Sequence, residues 1–269
     1  MSSLLRLNSS GPDVSALQQA LSAAGFNPGA IDGSFGPGTQ AAVLAFQRSK
    51  GLAADGVVGP STAAALGLAA IPAIPSAIPS VTPEIVSRMF PATPIANIRV
   101  NLPPVLDALV AASLPDKAMV LMALGTIRAE TESFQPISEG KSRFNTSPSG
   151  HPFDLYDNRR DLGNTGAPDG ANFRGRGFVQ LTGRANYTHY AQEIGVDLVN
   201  NPELANDPQT AATLLARFLG DREDRIREAL AEEPPNYAAA RRLVNGGSNG
   251  LDRFTDVFTR GLPLIPDPA

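Results

Sequence analysis

The sequence predicts a mainly α protein in two parts: a small three-helix module and a larger, α-rich (α+β) domain. Apolar residues recur at the spacing of amphipathic helices through most of the 269-residue chain. A stretch with proline at every third or fourth residue interrupts this pattern and has the composition of a stiff linker. We therefore expect the module over residues 1–68, the linker over 69–81 and the larger domain over 82–269, which suits a chain of this length.

Composition limits the kinds of site that the chain can form. It contains no cysteine and two histidines, His151 and His189, which lie far apart. Disulfides and thiolate chemistry are therefore excluded, and a zinc site is disfavoured. The formal net charge of -4 lacks the basic excess of a nucleic-acid-binding protein. We expect a monomer that needs no cofactor or metal and binds no nucleic acid.

Membrane and export segments are not recognisable in the sequence. No apolar run approaches the length of a transmembrane helix, and the first residues lack the apolar core of a signal peptide. We therefore expect synthesis in the cytoplasm without a signal peptide and no insertion into a membrane. A target outside the cell would require a separate route of release.

Two similar turns organise the first 68 residues. They are Asp32-Gly-Ser-Phe-Gly-Pro-Gly-Thr39 and Asp55-Gly-Val-Val-Gly-Pro-Ser-Thr62. Each places a glycine turn before a proline, which is favoured in the first turn of a helix. Apolar residues at helical spacing, such as Val43 and Phe46, follow the first turn, and another amphipathic segment precedes it. The sequence therefore predicts three short helices.

This repeated pattern resembles the peptidoglycan-binding domain type 1 family over nearly the whole module. The two DGxxGPxT turns, the Leu17-Gln18 pair and the triplet AFQ carry the resemblance. It implies adhesion to the bacterial cell wall, without catalysis. A generic three-helix bundle is the alternative, but such a bundle does not require the repeated turn.

A long helix of the larger domain is predicted to end near two glutamates. Ala123 and Ile127 share one side of this helix with Glu130, so its carboxyl group follows an apolar stripe. Burial raises the pKa of a carboxyl group, as a general acid requires. Glu132 lies roughly 200° further round the helix, and we expect it to pair with Arg128 in solvent. A buried structural glutamate is the alternative for Glu130 taken alone.

A second carboxylate, Glu139, follows a proline that should end the helix. It is the first residue of a polar, glycine- and asparagine-rich segment over residues 139–175. Long loops of this kind are usually functional or disordered. Hydrolysis of a glycosidic bond needs two carboxyl groups on opposite sides of the bond. A helix end and the loop after it can supply them, although pairs of glutamates are common in any sequence.

Two further segments place polar residues near predicted element ends. FVQLT has the composition of a short strand, in which Phe178, Gln180 and Thr182 would share one face. The polar pair suits hydrogen bonds to a sugar or a water molecule; two bonded core residues are the alternative. In VNGGSNGLDRF, glycines are predicted to end a helix at Asn245.

These motifs together resemble glycoside hydrolase family 19, the fold of plant-type chitinases and many phage endolysins. The motifs are ETxxF, the loop glutamate, GRGxxQLTGRxNY and NGGxNGxxxR, and the likeness spans most of residues 82–269. The resemblance implies a lysozyme-like, α-rich catalytic domain. It also implies an inverting reaction, with Glu130 as the general acid and Glu139 as the general base. Inversion requires the two carboxyl groups to stand roughly 6.5–9.5 Å apart.

The resemblance also implies which residues line the cleft. Gln180, Thr182 and Asn245 match lining positions, and Thr182 stands where a serine often helps to hold the attacking water. Further candidates for substrate binding are Arg143, Tyr156, Arg176 and Arg253. The first three could equally form structural ion pairs or helix caps.

Several positions depart from the family pattern. Ala129 stands where the family often has histidine, and Glu132-Ser133 replaces a glycine pair. Asp154 or Asp157 could take the role of the base in place of Glu139. The chain has no tryptophan, so sugar stacking must use phenylalanine, tyrosine or flat polar contacts.

The catalytic half alone does not distinguish peptidoglycan from chitin, because both polymers are β-1,4-linked and contain N-acetylglucosamine. The N-terminal module favours peptidoglycan, since tethering raises the local concentration of the catalytic domain at an insoluble polymer. We therefore expect an endolysin-like muramidase or glycosidase that acts on the cell wall after release. The alternatives are a chitinase, a lytic transglycosylase and a wall-binding protein without activity; a zinc amidase is disfavoured.

Overall fold

The structure, a computed structural model, describes residues 5–52, 54, 56–68 and 75–267. It divides into two compact units, Met1–Ile74 and Pro75–Ala269, each with its own apolar core. The mainly α class is confirmed, because helices dominate both units and the described residues form one two-stranded sheet. No helix in these ranges combines the length and the apolar character needed to cross a membrane.

The first unit contains three helices, as predicted. Each begins on a proline that follows a glycine, which suits the fixed φ of proline to the first helical position. Their inward faces meet in a core around Leu17, Val43 and Phe46. The helices are α1 Pro12–Ala23, α2 Pro37–Ser49 and α3 Pro60–Ala65.

Two buried glutamines explain why the sequence repeats its turn. Gln18 accepts a hydrogen bond from Gly33 N at 2.9 Å and donates to the Thr39 hydroxyl at 3.2 Å. Gln47 makes the same two bonds, at 2.9 Å and 3.2 Å, with the equivalent glycine and threonine of the second turn. Each amide is 1% exposed, so its bonds satisfy groups that would otherwise be costly to bury. Asp55 of the second turn lies outside the described residues.

The predicted linker over 69–81 differs from the structure in its second half. Residues 69–74 lie outside the described residues. Ala77 and Val81 are 2% and 5% exposed and belong to the core of the second unit, and Ala77 N donates to Pro115 O at 2.8 Å. The prolines of this segment leave it with a single 3-10 turn over Ile78–Ser80 and do not prevent the burial of its small apolar residues, so the second unit begins before residue 82.

The second unit contains the remaining helices and both strands. Its strands are β1 Ile137–Ser138 and β2 Arg176–Gly177, which pair antiparallel. Single 3-10 turns cover Ile78–Ser80, Arg160–Leu162 and Pro202–Asn206. The helices are α4 Pro83–Met89, α5 Ile95–Ala111, α6 Lys117–Glu130, α7 Asp154–Asp157, α8 Asp169–Asn172, α9 Arg184–Ile194, α10 Pro208–Gly220, α11 Glu223–Leu230, α12 Tyr237–Asn245 and α13 Leu251–Leu264.

Helix α6 is the centre of the second unit. Every residue from Met119 to Ala129 is buried, so the helix is enclosed on all sides rather than amphipathic. Helix α13 packs along it, and a Cβ added at Gly125 would lie 2.8 Å from the Phe254 ring. Such close packing fixes the direction of the helix and therefore the position of Glu130, its last residue.

The predicted strand FVQLT is instead a tight hairpin. Arg176 pairs with Leu181 across a turn at residues 178–180, and Gln180 adopts a left-handed backbone conformation with φ 51°. A five-residue pattern of alternating polarity cannot by itself distinguish an extended strand from such a turn. The turn separates Phe178, which is fully buried, from the partly exposed Gln180.

Candidate active site

A cleft of about 350 Å³ in the second unit gathers four of the predicted site residues, Glu130, Gln180, Thr182 and Asn245. It lies where the end of α6, the hairpin and the end of α12 meet. Its remaining lining residues are Leu162, Val179, Leu181, Asn186, Phe218, Val244 and Asn249.

Glu130 lies at the edge of this cleft and pairs with a buried arginine. Its Oε1 accepts a hydrogen bond from Arg241 Nη2 at 2.6 Å, and the two side chains are 16% and 1% exposed. Arg241 Nε also donates to Asn249 O at 3.0 Å. Glu130 therefore follows the buried apolar residues of α6, as expected, but its carboxyl group also has a buried cationic partner that the sequence analysis did not predict. The partner is 111 residues away in the chain, and no local pattern indicates it.

Glu139 directly follows β1, and three donors hold its carboxylate. Oε1 accepts hydrogen bonds from Asn145 Nδ2 at 2.9 Å and from the Tyr156 hydroxyl at 3.0 Å, and Oε2 accepts from Gly175 N at 3.3 Å. Its own backbone amide donates to Gly175 O at 2.7 Å. The carboxylate is therefore fixed by the loop that follows it and by the segment leading into β2.

Tyr156 is a hydrogen-bond donor to Glu139 over the whole neutral range. Burial and, next, the neighbouring Glu139 charge raise the pKa of Tyr156 to about 12. The phenol therefore keeps its proton at neutral pH and directs it at Oε1. The predicted substrate-binding residue lies against the carboxylate instead, where it orients Glu139.

Gly175 connects Glu139 to the cleft. A Cβ added to this glycine would lie 2.9 Å from Gln180 Oε1, 3.2 Å from Thr182 Oγ1 and 3.3 Å from Glu139 Cβ. The side chains of these three residues therefore converge on one point of the backbone. Gln180 and Thr182 also line the cleft with Glu130, whereas Glu139 is not among the cleft-lining residues and lies beside these two at Gly175.

The polar residues of the cleft make internal bonds that fix their orientation. Gln180 Nε2 donates to Ile137 O at 2.9 Å and to Gly177 O at 3.0 Å. The Thr182 hydroxyl donates to Gln180 O at 2.9 Å, which leaves its lone pairs free to accept. Asn245 Nδ2 donates to Asn249 O at 3.0 Å, closing the loop after α12.

Arg176 lies outside the cleft, in contrast to the prediction. Its side chain is 1% exposed, and its guanidinium donates to Glu203 Oε1 at 2.6 Å and to the Tyr187 hydroxyl at 3.0 Å. It therefore ties β2 to the 3-10 turn over Pro202–Asn206 and to α9. The motif around it is specific, but this arginine holds the hairpin in place rather than facing a ligand.

Glu132 and Arg253 pair with each other at the surface. Their side chains are 52% and 39% exposed, with 3.0 Å between Glu132 Oε2 and Arg253 Nη1. Arg253, predicted to bind substrate, is not among the cleft-lining residues. The predicted Arg128–Glu132 pair is wrong, because α6 ends at Glu130 and Arg128 instead pairs with Asp256 at 2.5 Å.

The alternative carboxylates have structural partners of their own. Asp157 is 3% exposed, accepts a hydrogen bond from Gly170 N at 2.9 Å, and lies 3.0 Å from His151 Nε2. The hydroxyl and the amide of Ser147 bond to Asp154 and lower its pKa. Neither aspartate lines the cleft. His189 is exposed on α9 and packs against a tyrosine ring.

Two family models match the chain. The family described as "Putative peptidoglycan binding domain" matches residues 10–66, which lie in the first unit. The family described as "Chitinase class I" matches residues 156–219, which include Gln180 and Thr182 of the cleft.

The chain is also similar to individual proteins. An acidic 27 kDa endochitinase from Solanum lycopersicum is 33% identical over 94 residues, which are 29% of this chain and 38% of the relative. A zinc D-Ala-D-Ala carboxypeptidase from Streptomyces albus G is 52% identical over 66 residues, 23% of this chain and 25% of the relative. The chain thus spans less than half of the length of either relative.

Among solved structures, chitinase C from Streptomyces griseus HUT6037 is 20% identical with a TM-score of 0.44, covering 69% of this chain and 76% of that one. Each of the two family matches falls within one of the two compact units. The first unit is therefore similar to the peptidoglycan-binding family over residues 10–66, and the second unit is similar to the chitinase class I family over residues 156–219.

Proposed function

We propose that the protein hydrolyses β-1,4 bonds in the glycan backbone of bacterial peptidoglycan by an inverting mechanism. Glu130 is the general acid and Glu139 is the general base. The observation that carries the proposal is the cleft in which Glu130 meets Gln180 and Thr182, with Glu139 beside the same two residues at Gly175. Two carboxyl groups around one glycosidic bond are what this reaction requires.

Glu130 supplies the proton for the leaving sugar. Arg241 Nη2 bonds to Oε1, and no donor among the described residues reaches Oε2. Oε2 is therefore the oxygen from which the protonated form of Glu130 transfers its proton to the glycosidic oxygen as the bond to the anomeric carbon breaks. The buried arginine holds the carboxyl group in one orientation during this transfer.

Glu139 accepts a proton from the attacking water. Its Oε1 already has two donors, whereas Oε2 has only the longer bond from Gly175 N at 3.3 Å. Oε2 is therefore the better placed to take the proton as the water oxygen bonds to the anomeric carbon. Thr182, whose own proton is directed at Gln180 O, offers lone pairs to the second hydrogen of that water. One bond is broken, one water is consumed, and solvent returns both carboxyl groups to their starting states.

The first unit supports peptidoglycan as the substrate. Residues 10–66 match a peptidoglycan-binding family, and a tethered binding domain raises the concentration of the second unit at an insoluble wall. The site acts on an extended polymer, which suits an open cleft lined by amide side chains and the Thr182 hydroxyl beside apolar residues more than a closed cavity.

Product analysis on purified peptidoglycan tests this proposal. Hydrolysis creates new reducing ends and products one water heavier than the anhydro sugars of a transglycosylase. An inverting enzyme releases the α-anomer first from a β-linked strand, which NMR of early products detects. Anhydro products, a first-formed β-anomer or cleavage confined to the peptide linkage would each overturn the mechanism.

Chitin is the second candidate substrate, favoured by the match of residues 156–219 to chitinase class I. The same cleft and the same two carboxylates would act on it. Initial rates on chitin oligosaccharides and on peptidoglycan fragments of equal length compare the two substrates directly. A higher kcat/KM on chitin would make the protein a chitinase.

A further inference from the structure

The loop after Glu139 presents an aromatic ring and two cations to solvent. Phe144 is 73% exposed, the largest value among the exposed large apolar residues of the described ranges. The Arg143 guanidinium lies 4.9 Å from the centre of the Phe144 ring. Lys141 and Arg143 are both exposed, and neither forms an ion pair with a carboxylate of the described residues.

This loop is not a loose segment, because a buried asparagine ties it to the catalytic carboxylate. Asn145 is fully buried, and its Oδ1 accepts a hydrogen bond from Ser142 N at 2.8 Å. Its Nδ2 donates to Gly140 O and to Glu139 Oε1, both at 2.9 Å. The backbone at Phe144, the residue before Asn145, therefore belongs to a loop that is fixed to the carboxylate of Glu139.

Exposure of a single apolar side chain is ordinary in a folded protein. Phe144 differs from other exposed apolar residues in that the next residue in the chain, Asn145, bonds to the carboxylate of Glu139. A flat ring offers an apolar surface to the C–H face of a sugar, and the chain has no tryptophan to supply one. The cation–π contact with Arg143 steadies the ring.

The two cations oppose the charge of the whole chain. The formal net charge is -4, so attraction to an anionic polymer must come from a local group of unpaired cations. The peptides carried by the glycan strands of peptidoglycan bear carboxylates, whereas chitin is uncharged. Lysine and arginine bind carboxylates through charge-assisted hydrogen bonds.

We propose that Lys141, Arg143 and Phe144 form a subsite that recognises peptide-bearing sugars of peptidoglycan beside Glu139. Phe144 stacks on the sugar ring, and Lys141 and Arg143 bind carboxylates of the attached peptide. This inference rests on the proposed function, because it names what selects peptidoglycan over chitin on the side of Glu139, and these three residues do not line the cleft at Glu130.

The test uses the full chain and three soluble probes: peptide-bearing glycan fragments, the same fragments stripped of peptide, and chitin oligosaccharides. The variants are Lys141→Gln with Arg143→Gln, and Phe144→Ala. The matched control is Arg225→Gln with Arg242→Gln. It removes the same charge from exposed arginines that line a separate groove between α11 and α12.

For the paired loop substitution we expect kcat/KM on peptide-bearing fragments to fall roughly three- to tenfold, as for two exposed ionic contacts. The loss on chitin oligosaccharides, which carry no charge, should be at most a third as large, and the loss on peptide-free fragments, which keep only the lactyl carboxylate of muramic acid, should lie between the two. The loss on peptide-bearing fragments should shrink at high salt, because exposed charges are screened. Phe144→Ala should lower kcat/KM on all three probes by a similar factor, about tenfold. The control variant should match the wild type.

Equal losses on peptide-bearing fragments and on chitin oligosaccharides, or an equal loss in the control variant, would overturn the subsite. Binding of the same probes to the Glu130→Gln protein separates this inference from the proposed function. Suppose the wild type is inactive, but the Glu130→Gln protein still binds peptide-bearing fragments more tightly than the other probes and loses this preference when Lys141 and Arg143 are replaced. That result would reject the hydrolase and keep the subsite. Wild-type hydrolysis without that preference would keep the hydrolase and reject the subsite.

Discussion

The two carboxylates of the candidate site are held in different ways. Glu130 ends a helix that is buried on all sides, and its partner Arg241 comes from α12. Glu139 follows a two-residue strand and is held by Asn145, Tyr156 and a backbone amide. The proposed acid is thus part of the core, whereas the proposed base depends on its own loop. Substitutions around the acid should therefore change global stability, and those around the base should act locally.

The largest expected effect comes from the acid itself. Glu130→Gln keeps the shape of the side chain but removes the transferable proton, so kcat on peptidoglycan should fall by about 10²–10⁴-fold. Glu132→Gln is the matched control, because that side chain is 52% exposed, and its kcat should stay within about twofold. Reducing-end assays measure both. Loss of activity in a folded Glu132→Gln protein would assign the acid to the wrong glutamate.

Arg241→Met tests whether the acid belongs to the core. It leaves the carboxylate of Glu130 partly buried without its partner, and breaking such a pair costs about 3–5 kcal/mol. Denaturant unfolding measures the loss. The double substitution Glu130→Gln with Arg241→Met should lose less than the sum of the single losses, since no unpaired charge remains. Additive losses would show that the two side chains are not coupled.

Asn145→Ala tests whether the base depends on its loop. It removes one donor to Glu139 and the bonds to Gly140 and Ser142. We expect kcat to fall by roughly ten- to a hundredfold through misplacement of the base. Hydrogen exchange should speed up in the loop but not in α6. Equal acceleration in α6 would contradict the separation of core and loop.

Tyr156→Phe gives the smallest expected effect, which depends on pH. The pKa of Tyr156 is raised to about 12, whereas an unfolded phenol ionises near about 10. Between these values the unfolded chain binds fewer protons than the folded one, so the free energy of unfolding falls as pH rises. The phenylalanine variant should lose less stability over this interval. Tyr187 and Tyr190 also have raised pKa values, so part of the slope should remain.

Local patterns predicted much of the fold. The glycine–proline turns predicted the starts of α2 and α3, and the glutamines of the LQ and FQ pairs proved to be the residues that bind those turns. The strand predicted for FVQLT was wrong, because five residues carry too little information to separate a strand from a hairpin. The linker was predicted too long, since Ala77 and Val81 pack into the second core.

The sequence by itself determined the helical class, the repeated turns, the position of Glu130 at a helix end and the motifs that match two families. These features depend on residues close together in the chain, whose conformational preferences act over a few positions. Only the tertiary structure decided that Arg241 pairs with Glu130, that Asn145 and Tyr156 hold Glu139, and that Arg176 is structural. Those contacts depend on how α6, α12 and the loops pack, and short-range preferences do not specify packing between distant segments.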